Sequence, residues 1–238
     1  GTVLTLTATP DTDWELRNFA GDCTGAALSG ATTNAGAKTV CTLTMDAPHS
    51  AKAYFGRELR LDITGKGKIA YAVSGSNPDQ PTLTDCDATD DGTETCYRVV
   101  LDGRTLTLTS TPGTDYVLRN FAGDCTGAAL SGATTNAGAK TVCTLTMDAP
   151  HSAKAYFGRE LRLDITGKGK IAYAVSGSNP DQPTLTDCDA TDDGTETCYR
   201  VVLDGRTLTL TSTPGTDYVL RNFAGDCTGA ALSGATTN

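Results

Sequence analysis

Nine cysteines, one acidic loop and two histidines are the residues of this 238-residue chain whose types and spacing could do chemistry. Cys86, Cys96, Cys125 and Cys143 are spaced by 10, 29 and 18 residues, and Cys23, Cys41, Cys188, Cys198 and Cys227 continue the same series. No close Cys-x-x-Cys pair of the kind a zinc site needs is among them, and there are only two histidines to add, so disulfide chemistry fits better than metal. Four cysteines allow three pairings. Pairing neighbours gives the shortest loops, and the expected bridges are Cys23–Cys41, Cys86–Cys96, Cys125–Cys143 and Cys188–Cys198, which leaves Cys227 without a partner.

The acidic loop is "DCDATDDGTETC", where Asp85, Asp87, Asp90, Asp91 and Glu94 put five carboxylates within ten residues around Gly92. Calcium takes six to eight hard oxygen ligands, and such a loop could supply several, which makes it a candidate calcium site. Its spacing is not that of a helix-loop-helix calcium loop, and the competing reading is a solvated acidic surface. His49 and His151 stand in "DAPHS" turns with no nucleophile motif beside them. Lys66 and Lys68 in "GKGK" lack the Gly-Lys-Ser/Thr ending of a phosphate loop, and a hairpin turn is expected there instead. Asp22 and Asp124, each ahead of a cysteine, are expected to cap backbone N–H groups. Nothing here composes an active site, and the chain is expected not to be an enzyme.

The elements that hold these residues come as a repeat. Cys23, Cys125 and Cys227 stand 102 residues apart, and the residues from Arg17 to Asn136 recur unchanged from Arg119 to Asn238. Only the opening stretch differs, where Thr2, Val3, Ala8, Asp11, Trp14 and Glu15 face Arg104, Thr105, Ser110, Gly113, Tyr116 and Val117. A unit of this length suits one small domain better than a solenoid turn. The best seam is "AYFGRELRL", at Gly56 and Gly158, where glycine interrupts an alternating run. On that cut residues 57–158 form a complete repeat, 1–56 the C-terminal half of one before it, and 159–238 the N-terminal part of one after it. The chain is then expected to be an excerpt of a longer covalent array, the alternative being subunits that complete one another by strand donation.

Each convincing pattern is a strand. "ELRLDIT" sets Leu59, Leu61 and Ile63 on one face, and "KIAYAVS" does the same with Ile69, Tyr71 and Val73. "CYRVVL", "RTLTLTST", "YVLRNFAG", "TVCTLTM" and "SAKAYF" make seven per repeat, separated by Gly, Pro and Asp turn signals. The expected fold is all-β, a string of small disulfide-stapled antiparallel β-sandwiches of immunoglobulin-like strand number. A single curled sheet of β-grasp type is the alternative. The aromatics Tyr54, Phe55, Tyr71 and Tyr97 are expected to pack in the core.

The composition is 38% hydrophobic and 20% charged, and no apolar run approaches membrane-spanning length. A net charge of −9 argues against nucleic acid as a partner. Residues 57–158 carry nine Lys/Arg against twelve Asp/Glu, so like-charged repeats repel mildly along a string.

"GTVLTLTATPDTDWELRNFAGDCTG…CTLTMDAPHSAKAYF", preceded by "LRLDITGKGKIAYAV…DCDATDDGTETCYRVVLDG", resembles the divergent bacterial repeat domains related to the B-repeats of internalin-type surface proteins. The likeness runs the length of the chain, with two departures: Phe19, Phe121 and Phe223 replace the usual Trp before Gly-Asp-Cys, and two loops are enlarged. It implies a secreted or surface-anchored bacterial protein in which the repeats act as spacer or adhesive units, with no catalytic residues. Two functions follow as expectations. The first is a structural segment of an extracellular fibre, stalk or filament whose partners are neighbouring repeats. The second is an adhesive module that binds a host or matrix glycan or protein by multivalency.

Overall fold

The structure is a computed structural model that describes residues 1–24, 27–31, 38–75, 83–90, 92–126, 129–133, 140–177, 186–192 and 194–227. Two compact units divide it, Gly1–Arg159 and Glu160–Asn238. The first contains β1 (Thr2–Thr7), β2 (Glu15–Gly21), β3 (Ala27–Ala31), β4 (Lys38–Met45), β5 (Ala51–Thr64), β6 (Gly67–Val73), β7 (Cys86–Asp87), β8 (Thr93–Leu101), β9 (Thr105–Pro112), β10 (Val117–Gly123), β11 (Ala129–Ala133) and β12 (Lys140–Thr146). β13 (His151–Thr166) runs from the first unit into the second, which adds β14 (Gly169–Val175), β15 (Cys188–Asp189), β16 (Thr195–Val202) and β17 (Leu208–Pro214). Among the described residues the only helical pieces are three single 3-10 turns, and no helix is long and apolar enough to cross a membrane. The protein is all-β, built from several small sheets.

In residues 57–158 two sheets face each other. One is formed by β10, the start of β13, the end of β5, and β8; the other runs β11-β12-β9-β6-β7. The alternation read from sequence puts Leu59, Leu61 and Ile63 of β5 and Phe157 of β13 on the inner face of the first sheet. Ile69, Leu106, Leu108 and Leu145 line the second, and all lie in one buried cluster. The bridges Cys86–Cys96 and Cys125–Cys143 each tie one sheet to the other, β7 to β8 and the 3-10 turn after β10 to β12. Cys23–Cys41 and Cys188–Cys198 repeat them, and Cys227 is unbridged.

Besides two short strands that the sequence reading left in loops, β7 (Cys86–Asp87) and β11 (Ala129–Ala133), three arrangements differ from it. First, Gly56 does not end a strand: "SAKAYF" and "ELRLDIT" fuse into the 14-residue β5. Glycine is there because β8 passes so close that a Cβ would stand 2.2 Å from the Val100 carbonyl oxygen. Second, "GKGK" is not a hairpin, since β5 and β6 belong to different sheets and the segment turns the corner between them. Gly65 has φ +85°, and Cβ atoms at Gly65 and Gly67 would meet the Phe157 backbone at 2.0 Å and its ring at 2.5 Å. Third, the pairing is not wholly antiparallel. His151–Tyr156 of β13 lies parallel to Leu59–Thr64 of β5, so the last strand of the repeat closes beside its first.

A smaller core in residues 1–56 gathers Leu16, Phe19, Cys23, Cys41 and Leu43, with Phe55 partly buried against it. In the second unit Ile171, Cys188 and Cys198 are buried, while Leu163, Ile165 and Phe223 only flank them beside a cleft of about 650 Å³. In residues 57–158 the matching Leu59, Leu61 and Ile63 are fully part of the buried cluster, with Ala153 and Ala155 of β13 beside Leu61 and Ile63 on the same face.

Candidate functional site

A set of specific side-chain contacts lies where residues 1–56 meet residues 57–158, both in the first unit. β5 belongs to both. Its first half pairs antiparallel with β2, Ala51–Gly56 against Gly21–Glu15, and its second half pairs with β8 and β13. The register slips between Leu16 and Asn18, a bulge at Arg17. Arg17 Nη1 donates from there to the Val99 carbonyl of β8, and burial draws its guanidinium pKa down.

Arg57 is the second pin. Its guanidinium carbon lies 4.0 Å from the centroid of the Trp14 ring, a cation–π contact, and its Nε donates to Asp102 Oδ1 at 2.7 Å. Nη1 donates to the carbonyl of Asp13 at 3.1 Å. Asp13 sits in the left-handed region at φ 64°, a conformation aspartate tolerates in turns, and this aims its carbonyl at the arginine. One side chain thus joins the turn of one repeat to the β8–β9 turn of the next. Glu15, opposite Gly56, has its carboxyl pKa raised by burial first and by the nearby Glu58 second.

The same device recurs one repeat on. Arg159 lies 4.7 Å from the Tyr116 centroid, its Nη2 donates to the Tyr116 hydroxyl at 3.4 Å, and Asp115 again has a positive φ, 63°. The sequence reading passed over this junction, because arginine in an alternating strand reads as a solvated face. A signal was present all the same: position 14 is among the six that drifted, yet Trp became Tyr and the ring was kept.

The carboxylates of Asp85 and Asp87 in the acidic loop have partners within the protein. Asp85 accepts from Lys68 Nζ at 2.8 Å, which raises the lysine pKa. Asp87 Oδ1 takes both the N–H and the hydroxyl of Thr89, at 2.9 and 2.6 Å, an Asx-type turn whose hydrogen bonds lower the Asp87 pKa. The carbonyl of Asp90 accepts from Lys66 Nζ at 2.9 Å, and Glu94 is exposed on β8 opposite Ile63. Asp91 lies outside the described residues. Among the described residues no three His, Cys, Asp or Glu side chains come together as a cation site would require.

Below this loop Arg98, the only buried charged side chain among the described residues, donates to the carbonyls of Thr84, Asp85 and Tyr97, with its guanidinium 5.5 Å from the centroid of Tyr71. Burial pushes the Tyr71 hydroxyl pKa up to about 12. Tyr54, Phe55, Tyr71 and Tyr97 are half-buried, with Tyr71 packed against the buried cluster of residues 57–158 and Phe55 against that of residues 1–56.

His49 is held by two carboxylates, Nε2 to Asp46 Oδ1 at 3.0 Å and Nδ1 to Asp22 Oδ2 at 3.5 Å. Asp22 Oδ2 also accepts the Ser50 N–H at 2.5 Å, and Asp124 does the same for Ser152 at 2.6 Å. The hydrogen bond to Asp46, assisted by Asp22, raises the His49 pKa above its ordinary 6.5. A group whose folded-state pKa is raised stabilises fully below its unfolded pKa and loses that contribution as pH climbs through the folded value. An NMR titration of the His49 ring is expected to place its midpoint above 6.5, and Asp46→Asn to bring it back down. An unchanged midpoint in Asp46→Asn would remove Asp46 as the cause.

A family model described as a divergent InlB B-repeat domain matches residues 1–58, 82–160 and 184–238. The stretches 59–81 and 161–183 lie between those matches. No curated protein and no solved structure matches the chain.

Proposed function

Since the chain belongs to the family of divergent InlB B-repeat domains, a tandem-repeat family of surface-type proteins, we propose that it is a structural segment of a long extracellular bacterial fibre, stalk or surface filament, with no catalytic role. The observation that carries this reading is β5. A single uninterrupted strand serves as the closing strand of one repeat and the opening strand of the next, and Arg17 and Arg57 pin the crossing on both sides. A flexible string of beads needs a polar, Gly- or Ser-rich linker. Here the linker is a paired β-strand, which is suited to holding spacing and direction along an array. Four disulfides support an oxidising compartment outside the cytoplasm. An adhesive role would draw on an exposed aromatic face, and Tyr54, Tyr71 and Tyr97 are half-buried in or beside strands instead.

Residual dipolar couplings measured on the whole chain test the junction. Residues 1–56 and 57–158 are expected to share one alignment tensor, and the double variant Trp14→Ala, Arg57→Ala to lose that agreement while each part stays folded. Two independent tensors in the unaltered chain would overturn the structural reading.

A further inference from the structure

The parallel pairing of β5 with β13 places the two ends of a repeat's backbone side by side. We propose that each repeat is a mechanical clamp, in which tension along the array loads the β5–β13 ladder in shear. This rests on the reading of the chain as a stalk segment and adds what such a stalk would resist.

Tension enters residues 57–158 at Arg57, the start of the second half of β5, and leaves at Phe157, where β13 passes into the next repeat. The ladder pairs His151 with Leu59 at one end and Tyr156 with Thr64 at the other. The entry point lies at the Leu59 end and the exit point at the Tyr156 end, so the two strands are pulled in opposite directions along their shared axis. Six residue pairs from His151–Leu59 to Tyr156–Thr64 must then slip together. An antiparallel hairpin pulled from its open end gives way one pair at a time, because each hydrogen bond bears the tension alone before the next is reached.

The surroundings favour the clamp. β8 flanks β5 over nine register pairs, and β10 flanks β13, so neither sliding strand is an edge. Phe157, fully buried, presses its ring and backbone on Gly67 and Gly65 at the corner that follows β5, and sliding would have to drag that ring out of the core. The bridges Cys86–Cys96 and Cys125–Cys143 lie off the ladder and act as stops, since the residues they enclose cannot be drawn out while the bridges hold.

The test pulls the full chain in an optical trap in two geometries. In one, handles at the chain ends deliver tension through Arg57 and Phe157. In the other, azide-bearing residues substituted at Glu58 and Asp102 deliver it across one end of the antiparallel β5–β8 ladder, and the end-to-end pull is made on this same variant, because Asp102 accepts from Arg57 in the unaltered chain. The end-to-end geometry is expected to break residues 57–158 at a force severalfold higher. The loops closed by separations of 10 and 18 residues are hidden until reductant is added, after which the released length should grow by about 9 nm at roughly 3.4 Å per residue. Equal rupture forces in the two geometries would overturn the clamp and leave the shared alignment of residues 1–56 and 57–158 standing. Loss of that alignment with unequal forces would do the reverse.

Discussion

Phe157→Ala is expected to destabilise residues 57–158 by about 3–5 kcal/mol, the usual cost of emptying a fully buried phenylalanine site. The ring sits at zero exposure among Leu59, Leu61, Ile69 and Leu106 in one buried cluster and touches Gly67 directly. Little can collapse into the space, because the neighbouring corner is glycine and carries no side chain to reach in. The same residue type at Phe55, one repeat earlier, is only partly buried against the smaller core, and Phe55→Ala is expected to cost less than half as much. Urea unfolding followed by amide exchange at Ile69 and Leu106 reads the first variant, and exchange at Leu16 and Leu43 the second. Equal losses would mean that the glycine corner adds nothing to the packing of Phe157.

Reduction of the disulfides is the other large effect. A closed loop of 18 residues contributes about 3 kcal/mol by constraining the unfolded chain, and one of 10 residues somewhat less. A domain of this size is stabilised by only about 5–15 kcal/mol in all. Loss of both bridges is therefore expected to bring residues 57–158 close to unfolding at ordinary temperature, with the two sheets parting because each bridge spans them. Cys125→Ser with Cys143→Ser should cost more than Cys86→Ser with Cys96→Ser, since the longer loop restricts more conformations. Melting with and without reductant, followed by near-ultraviolet dichroism, measures it. A melting temperature unmoved by reductant would show that the sheets hold without their staples.

Much of this architecture is legible in local sequence. Alternation located the longer strands, because a half-buried strand must alternate, and Leu59, Leu61 and Ile63 went where the period put them, while the short β7 and β11 show no such pattern and were read as loop. The partners of those strands were not legible. Nothing in "SAKAYF" or "ELRLDIT" says that these strands, from opposite ends of a repeat, lie parallel to each other, since pairing order is set by the packing of both sheets and not by either segment. Gly56 misled for a related reason. A glycine in a strand pattern signals either a break or a close approach, and only the position of β8 decides. The junction was hidden by chemistry, since Arg17 and Arg57 carry charge in strands whose charged face is ordinarily solvated. A bulge turned the first toward a carbonyl, and a tryptophan accepted the second.

Closing a repeat by laying its last strand against its first also orders its folding. Residues 59–64 have no parallel neighbour until residues 151–156 have been synthesised, so the sheet of a repeat is completed only at its end. Both segments occur again in the chain, Leu59–Thr64 as Leu161–Thr166 and Ser152–Phe157 as Ser50–Phe55, with identical side chains. Identical elements can be exchanged between repeats at little cost in contacts. Synthesis from the N-terminus resolves the ambiguity, because the first free "SAKAYF" to emerge after residues 59–64 belongs to the same repeat. A chain diluted from denaturant has no such order to follow, and exchanged strands between neighbouring repeats or neighbouring molecules are its characteristic error.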